Sequence, residues 1–357
     1  MSNCHATSSV IGVDYGIGGL LGENWGTLSN SYSTGNVTGN SYLGGLLGYN
    51  WGTVSNSYSI GNVTGSHYVG GLAGENLFGI VSNSYYNYDE VLINGENIIT
   101  IGALFGADFE EWLANDKFLD INARLSQVSG YYEINNVSDF KQLLAFGQDG
   151  SLKFILKSDL DLGSDPNFYI PYLAGEFNGD GHKISNLSFN FDFVSQVGLF
   201  GYLASDGVHD VGAENVSIIG DGAVGGLVGF NRGTVSDSYA TGNVTGNSPV
   251  GGLVGDNRGT VSNFVSNSYA TGKVTGIENV GGLVGVHHAH NVSNSFWDIE
   301  TSGQTTPDGG TGNTTAEMQD ITTFLDADWD IVLIGDYVDE TWYINNGNDY
   351  PRLGWQY

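Results

Sequence analysis

The sequence predicts an all-β fold, a parallel β-helix (β-solenoid) whose coils contain about 26 residues. The first observation is a repeated phrase: GGLLGENWGTLSNSYSTGNVTG begins at Gly18, and GGLLGYNWGTVSNSYSIGNVTG begins at Gly44. The second is composition, with 56 glycines but only 5 prolines among 357 residues, and 40% hydrophobic residues. The third is that the segments between glycines are short and β-branched or aromatic, which is typical of strands. A fixed period of this length indicates a solenoid, and the composition excludes collagen and a disordered chain.

The repeat occurs in two series. Its Gly-Gly-Leu element recurs at 18–20, 44–46 and 70–72, and again at 225–227, 251–253 and 281–283. Residues 3–12 match the end of a repeat, so we expect the chain to begin within a coil. We therefore predict a first array over residues 1–86 and a second array over residues 206–297.

Within each coil, the stretch TLSNSY or TVSNSY predicts a strand. Strict alternation places Leu28, Asn30 and Tyr32 on one face and Ser29 and Ser31 on the other. If coils stack about 4.8 Å apart, equivalent asparagine amides and tyrosine rings would form ladders, with serines and threonines facing outward and glycines in turns. Asp237 replaces the asparagine once, which predicts a partly solvated site. The predicted stacking positions are Asn30, Asn56, Asn83, Asn267, Asn294, Tyr32, Tyr58, Tyr85, Tyr239 and Tyr269.

Three segments lack the regular repeat. Residues 87–129 contain DFEEWLAN, in which Phe109, Trp112 and Leu113 share one helical face and Asp108 with Glu111 fits a capped helix start. Residues 130–205 alternate apolar and charged residues in KFILKSDLDL, which predicts the opening rungs of the second β-helix. Residues 298–357 carry a capping-box pattern at Thr314 and Glu317. We expect residues 87–129 to form a cap or spacer and residues 298–357 a C-terminal cap, each with a short helix, because open strand edges need covering.

The charge balance limits the partners of the protein. The formal net charge is −29, from 39 acidic and 10 basic residues, and such a surface repels nucleic acid and anionic membranes. Cys4 is the single cysteine, so no internal disulfide forms. No segment reaches the roughly 18 apolar residues of a membrane span, and the first residues do not resemble a signal peptide. Either an export signal has been removed, or the chain is a piece of something longer.

The phrases VGGLVGFNRGTVSDSYATGNVTG (residues 224–246) and VGGLVGDNRGTVSN (residues 250–263) resemble the GLUG-motif family of large bacterial and archaeal surface proteins. GEFNGDGHKISNLSF and SFWDIETSGQTTPDGGTGNTTAEMQ resemble the segments that precede and follow such repeats. The resemblance implies a right-handed parallel β-helix on an exported, extracellular or cell-surface protein. It implies no activity, since the protease members carry their HExxH zinc site outside the repeats and nothing here matches it.

A few residues are candidates for chemistry. His287, His288 and His290 in HHAH are weak candidates for a metal site, because imidazoles bind zinc, copper or nickel but no acidic partner is adjacent in sequence. Asp159 and Asp161 share a strand face, as carboxylate pairs of polysaccharide-cleaving enzymes do, although nearby lysines predict surface ion pairs. The remaining candidates are a general base at His182, which more simply caps a turn, and calcium in the loops with Asp165, Asp326, Asp328 and Asp330.

Eight N-x-[ST] sequons are possible glycosylation sites, or else NVT is simply favourable turn-to-strand sequence. Three of them occupy the same place in the repeat, within GNVTG. The eight asparagines are Asn36, Asn62, Asn136, Asn186, Asn215, Asn243, Asn291 and Asn313.

We expect a non-enzymatic structural or adhesive protein, extracellular or at the cell surface, without a cofactor apart from possible calcium. Stacked coils would make a stiff rod, and its partners would be further copies of itself, in end-to-end or filament assembly, or cell-surface glycans and proteins. The alternatives are a polysaccharide lyase or hydrolase built on a β-helix, and a repeat stalk of a larger exported protein.

Overall fold

The computed structural model describes residues 1–258, 265–288, 292–305, 309–336 and 340–354. It is a β-solenoid of about 11 turns with ~26 residues per coil, mostly strands with few helices. The predicted fold class is therefore confirmed. Nearly all strand pairs are parallel, and the exceptions in this part of the chain are two short antiparallel pairs.

The first array consists of five parallel sheets, in which each strand pairs with its equivalent in the neighbouring coil. The five-stranded sheet contains, in order, β1 (His5–Ala6), β6 (Tyr32–Ser33), β11 (Tyr58–Ser59), β16 (Tyr85–Asn87) and β17 (Ala103–Leu104). Two three-stranded sheets contain β5 (Thr27–Ser29), β10 (Thr53–Ser55) and β15 (Ile80–Ser82), and β2 (Val10–Ile11), β7 (Val37–Thr38) and β12 (Val63–Thr64). The other two contain β3 (Tyr15–Gly18), β8 (Ser41–Gly44) and β13 (His67–Gly70), and β4 (Leu21–Asn24), β9 (Leu47–Asn50) and β14 (Ala73–Asn76).

In the structure the predicted opening rungs pair directly with the second array, and the name second array covers both from here on; it has four sheets, of eight, nine, five and three strands. The eight-stranded sheet contains, in order, β18 (Gln127–Val128), β19 (Tyr131–Ile134), β20 (Lys153–Leu156), β23 (Glu176–Asn178), β27 (Gly207–His209), β31 (Thr234–Ser236), β35 (Val265–Ser266) and β40 (Val292–Ser293). The nine-stranded sheet contains β21 (Leu160–Asp161), β24 (Lys183–Ser185), β28 (Gly212–Ile219), β32 (Tyr239–Thr245), β36 (Tyr269–Thr271), β41 (Phe296–Asp298) and β42 (Thr311–Asn313), with β25 (Ser188–Asn190) paired to β28 and β37 (Val274–Thr275) paired to β32. The five-stranded sheet contains β22 (Ile170–Leu173), β26 (Phe200–Leu203), β30 (Val228–Asn231), β34 (Val254–Asn257) and β39 (Val284–His287), and the three-stranded sheet contains β29 (Val224–Gly225), β33 (Val250–Gly251) and β38 (Val280–Gly281).

Short helices and one small sheet lie outside the coils. The capping box at Thr314 and Glu317 is present, as predicted. The predicted cap at Asp108 is wrong: the helix begins two residues earlier, and Asp108 pairs with Arg124. Leu113 also leaves the predicted apolar face and is 39% exposed. The helices outside the coils are α1 (Gly106–Ala114), α2 (Val137–Lys141), α3 (Leu143–Phe146), α4 (Ile299–Ser302), α5 (Thr315–Met318) and α6 (Ile321–Leu325), with a 3₁₀ turn at Ile121–Ala123. The small sheet consists of β43 (Ile331–Leu333), β44 (Trp342–Ile344) and β45 (Arg352–Leu353).

The strand facing predicted for TLSNSY is wrong beyond Leu28. Leu28 is buried, but Asn30 adopts a left-handed conformation with φ of 49°, which turns the chain and reverses the alternation. Ser31 and Ser33 are therefore buried, while Tyr32 lies on the outer surface. Asparagine tolerates this conformation better than most residues. Equivalent residues share φ values of 44–49°: Asn56, Asn83, Asp237, Asn267 and Asn294.

The paired glycines are required by close packing between coils. Gly45 has no left-handed φ, yet an added Cβ would lie 2.3 Å from the carbonyl oxygen of Gly71 and 2.9 Å from Cβ of Ser59. A Cβ on Gly44 would lie 2.0 Å from the carbonyl oxygen of Leu47. The sequence predicted that these glycines form turns, but the structure shows that they are needed because a side chain would clash with the neighbouring backbone. Real Cβ atoms do not approach other atoms this closely.

The end of the first array docks against the side of the second. The carbonyl oxygens of Asn76, Leu77 and Phe78 accept hydrogen bonds from Gln196, Tyr202 and Arg232, at 2.7, 3.4 and 2.9 Å. The amide of Val81 donates to the hydroxyl of Tyr172. Tyr172, Tyr202 and Arg232 belong to three successive coils of the second array. One coil of the first array therefore lies across several coils of the second, which places the arrays end to side.

Candidate functional site

A ladder of buried asparagines runs through each array, at positions that the sequence reading missed. In the first array, Nδ2 of Asn24 donates to Oδ1 of Asn50 at 2.9 Å, and Nδ2 of Asn50 donates to Oδ1 of Asn76 at 2.8 Å. In the second array, Asn231 donates to Asn257 at 2.8 Å. All five side chains are buried. The signal was available, since each asparagine ends the phrase GLxGxN in its coil.

The inward serines form a second ladder. The backbone amide of Ser31 donates to Oγ of Ser57, and that of Ser57 donates to Oγ of Ser84, both at 3.1 Å. Each of these hydroxyls donates to the carbonyl oxygen two residues earlier in the chain. The prediction of outward serines is wrong for these three positions, because the corner at the preceding asparagine turns them into the core.

The asparagines and tyrosines that were predicted to stack lie on the outer side of the coils, and some of them are covered by segments outside the coils. Asn83 donates to Asn56 at 2.7 Å, and Asn267 donates to half-buried Asp237 at 3.3 Å. The rings of Tyr32 and Tyr58 stack with centroids 4.9 Å apart, and those of Tyr239 and Tyr269 stack at 5.1 Å. Since the ring faces of Tyr32 and Tyr58 contact one another, these two residues present ring edges at the surface.

Both tyrosine ladders are covered by a segment outside the coils. Helix α1 places Trp112 against Tyr58 and Tyr85, and the indole Nε1 donates to Asn83 at 2.7 Å. The C-terminal segment places Trp342 about 6 Å from both Tyr239 and Tyr269. Tyr85, Tyr239 and Tyr269 are thereby buried. The covering segments thus create additional hydrophobic core on the outer side of the coils.

The junction between the arrays contains a cleft of about 840 Å³. Its walls are largely apolar, with Ile80 and Phe118 exposed at 55% and 63%. Its carboxylates already bond locally: Asp120 accepts from the amide of Asn122, and Asp149 accepts from the amide of Ser151. The cleft therefore offers apolar surface, and its lining carboxylates act as turn caps.

An acidic cluster lies beside this junction. Glu75 faces Asp221, Asp256 and Arg258 of the second array, and its burial, opposed by Arg258 and reinforced by the two aspartates, raises its pKa to about 8. Asp256 also accepts from Nε of Arg258 at 2.9 Å. Glu75 is therefore largely protonated at pH 7, which removes a third negative charge from this contact.

The histidine candidates are held within the chain. Nε2 of His288 lies 3.4 Å from Oδ1 of Asp256, an acidic residue that is distant in the sequence. The side chain of His287 is half-buried, and His290 lies outside the described residues. Among the described residues, no group of three or more histidine, cysteine, aspartate or glutamate side chains is arranged to hold a metal ion.

The carboxylates proposed for catalysis have local hydrogen-bond partners. Oδ1 of Asp159 accepts from the backbone amide of Lys183 at 2.9 Å, and Oδ1 of Asp161 accepts from Gly163 and Asn186 at 2.8 Å. Nδ1 of His182 lies 3.5 Å from Asp159, and burial lowers the pKa of its imidazole. This arrangement ties one coil to the next.

The loop carboxylates suggested for calcium are also engaged. Asp165 pairs with Lys141, and Oδ2 of Asp330 accepts from the amide and hydroxyl of Thr341, both at 3.0 Å. Asp328 adopts a left-handed turn conformation. Calcium binding stays a prediction. Separately, none of the helices in the described ranges is long and apolar enough to cross a membrane.

The sequons lie at turns and on outer strand faces. Asn36 and Asn62 directly precede β7 and β12 and stand one above the other in neighbouring coils, while Asn243 lies in β32. Asn136 caps α2, and Asn186 and Asn215 neighbour each other. Asn313 ends β42, and Asn291 lies outside the described residues.

Comparison with known proteins supports the repeat. The family model of the GLUG motif matches residues 14–38, 39–64 and 220–245. Halomucin of Haloquadratum walsbyi is 33% identical over 131 residues, an alignment that covers 32% of this chain but 1% of halomucin. No solved structure matches the chain. The three matches confirm the resemblance seen in the sequence: the chain contains GLUG motifs in both of its arrays.

Proposed function

We propose that the chain is a structural repeat segment of an extracellular or cell-surface protein, without enzymatic activity. The observation that carries this proposal is the reuse of the same buried asparagine and serine ladders from coil to coil. Each coil satisfies the polar groups of its neighbour, so an array is lengthened by copying one phrase. The GLUG motifs and the likeness to part of halomucin support an extracellular setting.

The charge supports the same proposal. A net charge of −29 keeps a protein soluble where dissolved ions screen its self-repulsion. Because the arrays meet end to side, the chain forms two short blocks and not one straight rod. Such blocks suit a spacer that presents a repeated surface, through which many weak contacts with glycans or proteins add up.

Self-assembly is a finer part of the proposal. Among the described residues, strands β1 to β4 of the first array pair with a neighbour on one side only, and an unpaired strand edge accepts another strand. The outer edge of β5 is covered by hydrogen bonds with residues 1–3. A second copy docking there would extend the array end to end into a filament.

Electron microscopy of the purified protein tests the shape and the assembly. We expect rigid two-block particles that join end to end as concentration rises. Uniform single particles at high concentration would reject the filament, and turnover of any member of a glycan panel would reject the non-enzymatic role. Protease shaving of intact producing cells tests the location: peptides of this chain must be released while cytoplasmic markers stay intact.

A further inference from the structure

Three sequon asparagines use only their carbonyl oxygen. Oδ1 of Asn36 accepts from the backbone amide of Asn62 at 3.0 Å, and Oδ1 of Asn62 accepts from that of Leu92 at 2.9 Å. Oδ1 of Asn243 accepts from the amide of Lys273 at 3.4 Å. No described residue accepts a hydrogen bond from Nδ2 of these three, and Asn36 and Asn243 are exposed. Their amide nitrogens are chemically available on the outer surface.

Three other sequon asparagines use their amide nitrogen as a donor. Nδ2 of Asn136 donates to Asp139 at 3.1 Å, Nδ2 of Asn186 to Asp161 at 2.8 Å, and Nδ2 of Asn215 to Asn186 at 2.7 Å. The last two bonds join successive coils of the second array. Glycosylation replaces one of the two hydrogens of Nδ2, and a sugar on a nitrogen this close to its acceptor would crowd that acceptor and weaken the bond.

We propose that the protein carries N-linked glycans on Asn36, Asn62 and Asn243, and that Asn136, Asn186 and Asn215 are structural and stay bare. The inference rests on the proposed export, since glycan transfer accompanies it. In the transfer, Nδ2 loses a proton and bonds to the anomeric carbon of a lipid-linked oligosaccharide, whose bond to its phosphate leaving group breaks. Oδ1 keeps its lone pairs, so the bond to the next coil survives at the three proposed sites.

The test uses secretion from eukaryotic cells with a cleavable signal, which supplies export whatever the native location. A C-terminal sequon tag is added, and only molecules glycosylated on the tag are analysed. In each single-site protein, the serine or threonine of every other native sequon is replaced by alanine, for example Thr38→Ala, so that all asparagines remain. Site occupancy is measured by mass spectrometry, and the melting temperature is compared before and after enzymatic trimming of the glycan to its first sugar and against the unglycosylated chain.

We expect Asn36, Asn62 and Asn243 to be occupied, with melting temperatures within about 2 °C of the unglycosylated chain. Secreted Asn136, Asn186 and Asn215 proteins should be bare, or melt at least about 4 °C lower when occupied. Bare Asn36, Asn62 and Asn243 beside an occupied tag overturn the proposal, as do glycans on Asn186 and Asn215 that leave the melting temperature unchanged. Because the signal is foreign, either result leaves the proposed location to be judged by the shaving experiment alone.

Discussion

At the scale of single residues, the buried asparagines show how a polar side chain can occupy the interior. Asn50 accepts from Asn24 and donates to Asn76, and the relative exposure of its side chain is 0%. Burying an amide is unfavourable unless its groups are hydrogen-bonded, and here the identical residue above and below supplies both partners. The ladder therefore stabilises only coils in the correct register.

Removing the central amide tests this ladder. Asn50→Ala leaves a buried donor on Asn24 and a buried acceptor on Asn76 without their partner, so we expect a loss of about 2–4 kcal/mol in the free energy of unfolding. The measurement is denaturant unfolding followed by circular dichroism. Asn40→Ala, at an exposed position, is the matched control and should change little. Equal effects of the two changes would contradict a structural role for the ladder.

The carboxyl group of Glu75 makes stability depend on pH. Its pKa is raised to about 8 in the folded protein, chiefly by burial, against an ordinary value of 4.5. Between these values the folded state holds a proton that the unfolded state has released. The contribution of Glu75 to stability is therefore greatest below about pH 4.5, and it falls as pH rises toward 8.

Glu75→Gln should remove this pH dependence. We expect the variant to be more stable than the parent at pH 8.5, by a few kcal/mol at most, and similar to it at pH 5. Thermal melts across this range provide the measurement. Glu23→Gln is the control, because Glu23 holds the equivalent strand position but is exposed. A parent whose melting temperature does not decline toward pH 8.5 relative to the glutamine variant would contradict the argument.

At the scale of the coil, the sequence predicted the period and the parallel stacking but not the facing of side chains. The Gly-Gly-Leu spacing gives the coil length directly, since each copy occupies the same place in its coil. The facing failed because one left-handed residue, Asn30, reverses the alternation that follows it. Alternation assumes an unbroken strand, and because asparagine adopts both ordinary and left-handed backbone conformations, its φ cannot be read from the phrase alone.

The close approach of coils at Gly45 leads to a prediction. Gly45→Ala would force the new Cβ against the carbonyl oxygen of Gly71, a backbone atom that can retreat only if the coils separate. We expect destabilisation of about 1–3 kcal/mol. Gly26→Ala is the matched control, since nothing lies within 4 Å of its added Cβ. Unfolding midpoints of the two variants should differ clearly; a harmless alanine at position 45 would rule out the steric explanation.

The helix that covers the first tyrosine ladder can be tested in the same way. Trp112→Ala removes the ring that packs on Tyr85 and the indole bond to Asn83, so we expect a loss of about 3–5 kcal/mol. Leu113→Ala, at the adjacent and 39% exposed position, should cost far less. Tyrosine fluorescence and unfolding midpoints report the two effects. Similar losses at both positions would show that α1 does not cover the ladder as described.

At the scale of the whole molecule, the docking of the arrays had no signal in the sequence. Two of the residues that make it, Gln148 and Gln196, lie in residues 130–205, which lack the regular repeat. A sequence repeat indicates the contacts that recur between neighbouring coils, whereas the contacts of a junction occur once and have no period in the sequence. The candidate contacts at the junction, including Glu75 with Asp256, were therefore beyond prediction.

The same junction predicts how the molecule unfolds. Gln148 is buried and bonds both the amide and the carbonyl oxygen of Ser84, each at 2.9 Å, in the place that a serine of a further coil would take. Gln148→Ala should loosen the end of the first array while leaving the second array intact. In hydrogen exchange, we expect faster exchange confined to residues 67–87, and in thermal melts a broader or split transition. Gln127→Ala, at an exposed position, should leave both unchanged. Faster exchange spread evenly over both arrays would contradict this, because it would mean that Gln148 stabilises the whole molecule and not the end of the first array that it covers.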